Sequence, residues 1–172
     1  MRTKATRIAT IGVYGFSART FLDQLRAADV ALLIDVRQRR GVRGAQYAWA
    51  NARRLQALLA GAGIAYSHNR ELAPTTELRQ LQYHHDDEHG IGKRNRRRLS
   101  PAYARGYLQQ ILDAAELSEL VAELPPRDAG IGCLMCVETD APACHRSLIA
   151  ARLAHEFGLQ VVDLAPGNAA MD

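Results

Sequence analysis

The residue types best suited to chemistry are concentrated near the end of the chain. Cys136 and Glu138 stand at the end of an apolar run, and Cys144, His145 and Arg146 follow a short proline-containing loop. A cysteine thiolate is a nucleophile or a metal ligand, glutamate and histidine carry protons, and arginine binds anions. The sequence therefore predicts a polar site with Cys144, Glu138, His145 and Cys136 as catalytic candidates.

The ends of two predicted strands place ionisable groups together. The run 131–137 predicts a β-strand, and alternation along a strand puts Cys136 and Glu138 on one face. An earlier apolar run ends in the same way, with Asp35 and Arg37 sharing a face. Ligands of open α/β sheets bind outside the carboxyl ends of strands. Asp35 therefore joins the catalytic candidates.

A predicted helix carries the rest of the site. The stretch 143–157 predicts a helix with Cys144, His145 and Arg146 in its first turn. Unpaired N–H groups at a helix N-terminus bind anions and lower the pKa of a thiol. The substrate-binding candidates lie on this helix and on loops after predicted strands: Arg37, Arg146, Tyr14 and Ser17.

Apolar runs alternate with amphipathic stretches along the chain. This pattern predicts an α/β fold, in which a mostly parallel sheet of about five strands lies in a single three-layer, Rossmann-like domain. The domain spans 1–172, with its core at about 7–164. The predicted strands are 7–13, 31–36, 64–68, 131–137 and 160–164.

The segment at about 70–100 differs from the rest because it is polar and rich in arginine and histidine. It predicts an insertion with a short helix around 76–83. Residues 84–89 could hold a divalent metal, but an exposed loop is the more favoured interpretation there. After the insertion, Ser100 and apolar spacing predict a helix that ends before Pro125.

The charge composition favours an acidic partner. The formal net charge is +4, and every basic residue except Lys4 and Lys93 is arginine, whose planar group suits phosphate. This composition supports an alternative function, nucleic-acid binding through Arg-rich loops. The residues proposed for that surface are Arg39, Arg40, Arg43, Trp49, Arg96, Arg97 and Arg98.

Composition also limits the compartment. No apolar run approaches the ~20 residues that span a bilayer, so no membrane partner is expected. The three cysteines do not form a disulfide framework, which is typical of a reducing compartment. We therefore expect a cytoplasmic protein whose partner is an anionic small molecule or a nucleic acid.

The same motifs carry a resemblance to a known family. The early strand–glycine–serine turn, Ile34-Asp35-Val36-Arg37, and the pair Cys136-x-Glu138 and Cys144-His145-Arg146-Ser147 resemble the bacterial family called domain of unknown function 488. The resemblance spans about 8–164, and the cysteine motifs are its most specific part. It implies a compact α/β fold and a site at these motifs, and it implies no particular reaction.

Three chemistries remain open for this site. The leading hypothesis is a small enzyme that acts on a phosphate- or nucleotide-like anion, with Cys144 as nucleophile and Glu138 or His145 as proton carrier. The second is the nucleic-acid-binding module. The third is a metal-binding or thiol-redox protein that uses Cys136 and Cys144. Cys136, Glu138, Cys144 and His145 suit Zn or Fe, although their spacing matches no strong zinc signature.

Overall fold

A five-stranded parallel sheet forms the centre of the protein. The computed structural model describes residues 4–167, apart from the side chain of Lys93. The strands are β1 (Arg7–Ile11), β2 (Val30–Asp35), β3 (Ala65–His68), β4 (Ile131–Met135) and β5 (Gln160–Leu164). They lie in the order β3-β2-β4-β1-β5, and all pairs are parallel. The predicted α/β fold with about five mostly parallel strands is confirmed.

Strand β4 is central because it lies between β2 and β1. In the classic dinucleotide-binding order, the first and second strands are neighbours instead. Residues 132–135 pair with 8–11 of β1 on one side and with β2 on the other. Cys133, Leu134 and Met135 are fully buried as a result. The carboxyl ends of β1, β2 and β4 therefore meet at one edge of the sheet.

Helices pack against the sheet and connect its strands. Helix α1 begins after Ser17, whose side chain accepts a hydrogen bond from the backbone N–H of Thr20 and completes a capping box. In the part of the chain that the structure describes, no helix is long and apolar enough to cross a membrane. The α-helices are α1 (Ala18–Ala27), α2 (Ala52–Gly61), α3 (Thr76–Glu88), α4 (Pro101–Tyr107), α5 (Leu117–Glu123) and α6 (Arg146–Phe157).

Within the segment 70–100, predicted to be a polar insertion with a short helix at 76–83, the exposed loop expected at 84–89 is helical as far as Glu88, although most of its side chains are exposed as expected. Helix α3 continues to Glu88 and packs on α4. Leu78, Gln82 and Asp86 recur at four-residue spacing and are all buried. Two of these buried residues are polar, so the apolar periodicity that identifies a helix is weak here. One face of α3 is therefore buried against the fold, while most of its other side chains are exposed.

The predicted helix between Ser100 and Pro125 is interrupted. Helix α4 passes into a π-helical turn at Leu108–Leu112, where the N–H of Asp113 donates to the carbonyl of Leu108. The backbone of Glu116 then leaves the helical region before α5 starts. Apolar side chains before and after the break face the same core, so their spacing does not reveal it. Beyond the predicted core of about 7–164, residues 168–172 lie outside the described residues.

Candidate active site

The site forms where the chain leaves β4. The backbone N–H of Cys136 donates to the carbonyl of Ile11, and that of Val36 donates to the carbonyl of Met135. The ends of three strands are thereby held together. A methyl group at Gly12 would overlap the carbonyl oxygen of Glu138, so glycine is required for this close approach. The geometry brings Cys136 and Glu138 to the edge of the sheet, on one face as predicted.

The loop that leads into α6 differs from the predicted helix start. Residues Ala141–Ala143 form a 3₁₀ turn, Cys144 is extended, and α6 begins at Arg146. Cys144 therefore lies before the first helical turn. Adjacent side chains on a helix do not face each other. The extended backbone of Cys144 removes this restriction, and its Sγ lies 3.6 Å from Nδ1 of His145.

Cys136, Cys144 and His145 form a compact group that we call the Cys–His cluster. The Cys136 Sγ lies 3.7 Å from His145 Nδ1, and the three ligand atoms are all within 4.8 Å of one another. All three side chains are at least nine-tenths buried. Glu138 adjoins the cluster, since its Oε2 lies 3.7 Å from the Cys136 Sγ. The prediction that these four residues come together agrees with this geometry.

The two cysteines of the cluster differ in their ionisation. Burial disfavours the thiolate of Cys144, but the hydrogen bond from Cys136 and the positive charge of His145 outweigh it and hold the pKa of Cys144 well below its ordinary value. Burial, together with the neighbouring Cys144, raises the pKa of Cys136. Cys144 therefore supplies a thiolate, which is the form in which sulfur attacks electrophiles or binds metals.

The backbone fixes the orientation of His145. Its Nε2 lies 2.8 Å from the carbonyl oxygen of Val36, and because a carbonyl only accepts, Nε2 carries the hydrogen. Nδ1 therefore faces the two sulfur atoms. Burial alone would lower the pKa of His145, but Cys144 and the Val36 carbonyl raise it. A contact between the ring and that of Tyr107, with centroids 5.4 Å apart, further restricts its rotation.

A cavity of about 440 Å³ opens beside the Cys–His cluster. Its volume lies within the range of small-molecule sites. The cluster and Glu138 form one part of the wall, arginines form another, and tyrosines with apolar side chains form the rest. The charged and aromatic members are Arg37, Arg39, Arg43, Arg79, Arg96, Glu138, Tyr14, Tyr83 and Tyr103.

Asp35 and Arg37 form an ion pair with each other. The guanidinium of Arg37 makes two hydrogen bonds to the carboxylate of Asp35, at 2.9 and 2.8 Å, and a third to the carbonyl of Ala50. Asp35 also accepts from the hydroxyl of Tyr66 at 2.7 Å. Both side chains are buried, so this pair braces the end of β2 against the following loop. The geometry favours this bracing role over the predicted catalytic and anion-binding roles.

Arg146 points away from the cavity. Its Nη1 donates to the carbonyl of Glu138 at 2.7 Å, its Nη2 donates to that of Thr139, and its Nε donates to the hydroxyl of Thr10. The predicted start of α6 at residue 143 placed Arg146 toward a ligand. In the structure it anchors the loop that carries Glu138, so it positions the site from behind.

Tyr14 and Ser17 have different surroundings. Tyr14 lines the cavity as predicted, and the guanidinium of Arg94 lies 5.2 Å above its ring. Ser17 is exposed and caps α1, and it is not among the cavity-lining residues of the described chain. A serine that begins a helix is explained by capping alone.

The residues proposed for nucleic-acid binding are dispersed. Arg39 and Arg43 line the cavity, whereas Arg40 lies 3.4 Å from the hydroxyl of Tyr66. Trp49 packs on Phe21, with ring centroids 4.8 Å apart. Arg96 is buried in ion pairs, and Arg97 and Arg98 are exposed outside the cavity.

A buried charge bridge connects α3 to the site, and sequence reasoning missed it. Arg96 donates through Nε to Asp86 at 2.9 Å and through Nη1 to Glu138 at 3.2 Å and to the carbonyl of Ala143. Gln82 extends the bridge through a hydrogen bond to Asp86. The ion-pair spacing between Asp86 and Arg96 gives no sequence signal, because the two residues lie ten positions apart across a turn.

A family comparison covers the part of the chain that contains this site. The model of domain of unknown function DUF488 matches residues 17–153, which include both cysteine motifs. The chain belongs to this family. No curated protein and no solved structure matches the chain. Membership in the DUF488 family names no reaction, so the chemistry has to be inferred from the site itself.

Proposed function

We propose that this DUF488 protein is a small enzyme that acts on an anionic, phosphate- or nucleotide-like substrate in the cavity. The observation that carries the proposal is that the cavity joins a cationic wall to the Cys–His cluster. Arg39, Arg43 and Arg79 supply that wall, and among the described residues no carboxylate lies within ion-pair distance of them. Guanidinium groups of this kind bind phosphate or carboxylate oxygens.

The same cavity is lined by groups suited to a reaction. Glu138 lies beside Cys136 and can carry a proton to or from a bound molecule. The sulfur atoms and Nδ1 of the cluster form the reacting centre. Clustered ionisable groups in a cleft are typical of active sites.

Arg96 also lines the cavity, but its charge is already paired, since its Nη2 lies 2.7 Å from Asp86 Oδ2 and its Nη1 donates to Glu138 Oε1 at 3.2 Å. The charge that attracts an anion is therefore supplied by Arg39, Arg43 and Arg79. The tyrosines and apolar side chains of the wall leave room for the organic part of such a ligand.

Removing two cavity arginines should weaken binding of adenosine monophosphate and of inorganic phosphate. We expect the Arg39→Ala/Arg43→Ala variant to raise the Kd by about 10- to 100-fold. Each lost hydrogen bond to a charged group is worth roughly 1.5–3 kcal/mol, and solvent reduces this value at exposed arginines. Isothermal titration calorimetry at fixed salt measures this. The matched control is Arg97→Ala/Arg98→Ala, which changes the net charge equally at exposed positions outside the cavity.

The same two variants test the nucleic-acid alternative. If the enzyme proposal holds, the control variant binds the nucleotide as the wild type does. Salt-dependent binding of a DNA duplex that falls equally in both variants, with no measurable nucleotide binding in the wild type, would overturn the proposal and favour the nucleic-acid module.

A further inference from the structure

The Cys–His cluster has the dimensions of a metal site. A tetrahedral zinc ion, with Zn–S about 2.3 Å and Zn–N about 2.0–2.1 Å, holds sulfur and nitrogen ligands about 3.6 Å apart. The Cys144 Sγ and the Cys136 Sγ lie 3.6 and 3.7 Å from His145 Nδ1. Both sulfur–nitrogen separations therefore match a common tetrahedral centre without movement of the ring.

The two sulfur atoms require only a small adjustment. They lie within 4.8 Å of each other, and a tetrahedral ion would hold them about 3.8 Å apart. A rotation of one buried thiol toward the other closes this difference of at most about 1 Å. Cys136 follows a central strand and Cys144 lies in an anchored loop, so both backbones are already in place.

The surroundings of His145 match those of metal-bound histidines. A ligating histidine almost always donates its other ring N–H to a carbonyl or carboxylate, which fixes the tautomer and the ring orientation. His145 makes this bond to the Val36 carbonyl at 2.8 Å. Nδ1, the remaining ring nitrogen, is thereby directed at both sulfur atoms.

We propose that Cys136, Cys144 and His145 bind one Zn²⁺ ion and leave its fourth position open to the cavity. Two thiolates and one imidazole form a ligand set that selects zinc over harder cations. A three-ligand zinc site with an open position is typical of catalytic centres, whereas structural sites use four protein ligands. This inference deepens the proposed function by naming its reacting centre, and Glu138 lies on the cavity wall to exchange a proton with a group on that centre.

The test is the metal content of untagged protein purified with reductant and without chelator. We expect about one zinc per chain by elemental analysis, and a loss of affinity of more than about a hundredfold in Cys136→Ser and in Cys144→Ser. Cys133→Ser is the matched control, because Cys133 is also buried, on the strand that leads to Cys136, but lies outside the cluster. It should retain zinc.

Two further measurements keep the inference testable if a serine variant fails to fold. Wild-type protein loaded with Co²⁺ should show a sulfur-to-cobalt charge-transfer band, and zinc should protect two thiols from a disulfide reagent until a chelator is added. Metal-free wild type that takes up neither ion would overturn the inference. So would a Cys136–Cys144 disulfide in the freshly purified protein, or alkylation of Cys144 that zinc does not slow.

The outcomes for the metal and for the substrate are separable. The Arg39→Ala/Arg43→Ala variant should keep its zinc even where it loses the nucleotide. If the protein binds the nucleotide but no zinc, the metal inference is overturned and the proposed function stands. If it binds zinc but no nucleotide, the proposed function is overturned and the metal inference stands.

Discussion

Replacing Arg96 with methionine is expected to lower the free energy of unfolding by about 3–5 kcal/mol. Methionine keeps much of the apolar stem but removes the cation that stands between Asp86 and Glu138. Two buried carboxylates then lose their common partner, and the carbonyl of Ala143 loses a donor. Urea unfolding followed by circular dichroism measures the loss.

Two further variants serve as controls for this result. Arg97→Met makes the same chemical change at the exposed neighbour and should stay within about 0.5 kcal/mol of the wild type. Arg96→Lys should fall between, because an ammonium keeps the charge but cannot reach two carboxylates and a carbonyl as a planar fork does. A loss below about 1 kcal/mol in Arg96→Met would show that the bridge does not hold α3 to the site.

Gly12→Ala is expected to destabilise the protein by about 3 kcal/mol or more, the upper end of the cost of overpacking. The added methyl would overlap the Glu138 carbonyl oxygen and lie 2.8 Å from its carbon. Both neighbours are backbone, so no side-chain rotation relieves the clash. The turn after β1 must separate from the end of β4, although two N–H groups hold it to the carbonyl of Val137.

Gly61→Ala is the matched control for that clash. Gly61 lies at the end of α2, and a methyl there meets no described atom within 4 Å. Alanine in a helix is favoured over glycine by about 0.5–1 kcal/mol, so this variant should be neutral or slightly more stable. Thermal unfolding distinguishes the two. Equal melting temperatures for both variants would contradict the packing at Gly12.

The predictions for Arg96 and Gly12 both concern how Glu138 is held in place. The Gly12 approach and the Arg96 bridge both hold Glu138, one through its backbone and the other through its side chain. We therefore expect either variant, where it folds, to lose nucleotide binding as well as stability. The site depends on a loop that is braced from the sheet and from α3 together.

The sequence by itself determined the parallel α/β fold and the members of the Cys–His cluster. Short apolar runs separated by amphipathic stretches determine that fold, since strand and helix periods differ. The step from Cys136 to Glu138 lies within a few residues, where spacing predicts position. The contact between Cys144 and His145 depends on the extended backbone of Cys144, which the predicted helix start at residue 143 does not include.

Tertiary structure decided the role of each arginine near the site. Arg37 and Arg146 are predicted from the sequence to bind an anion. In the structure the guanidinium of Arg37 bonds to Asp35, and that of Arg146 bonds to the carbonyls of the loop that carries Glu138. Arg79 and Arg96 come from the segment interpreted as an insertion, yet they line the cavity. The physical reason is that a long side chain can reach several partners, near and far in sequence, and no periodicity encodes which of them it contacts. Asp35 lies two residues from Arg37, whereas Glu138 lies 42 residues from Arg96.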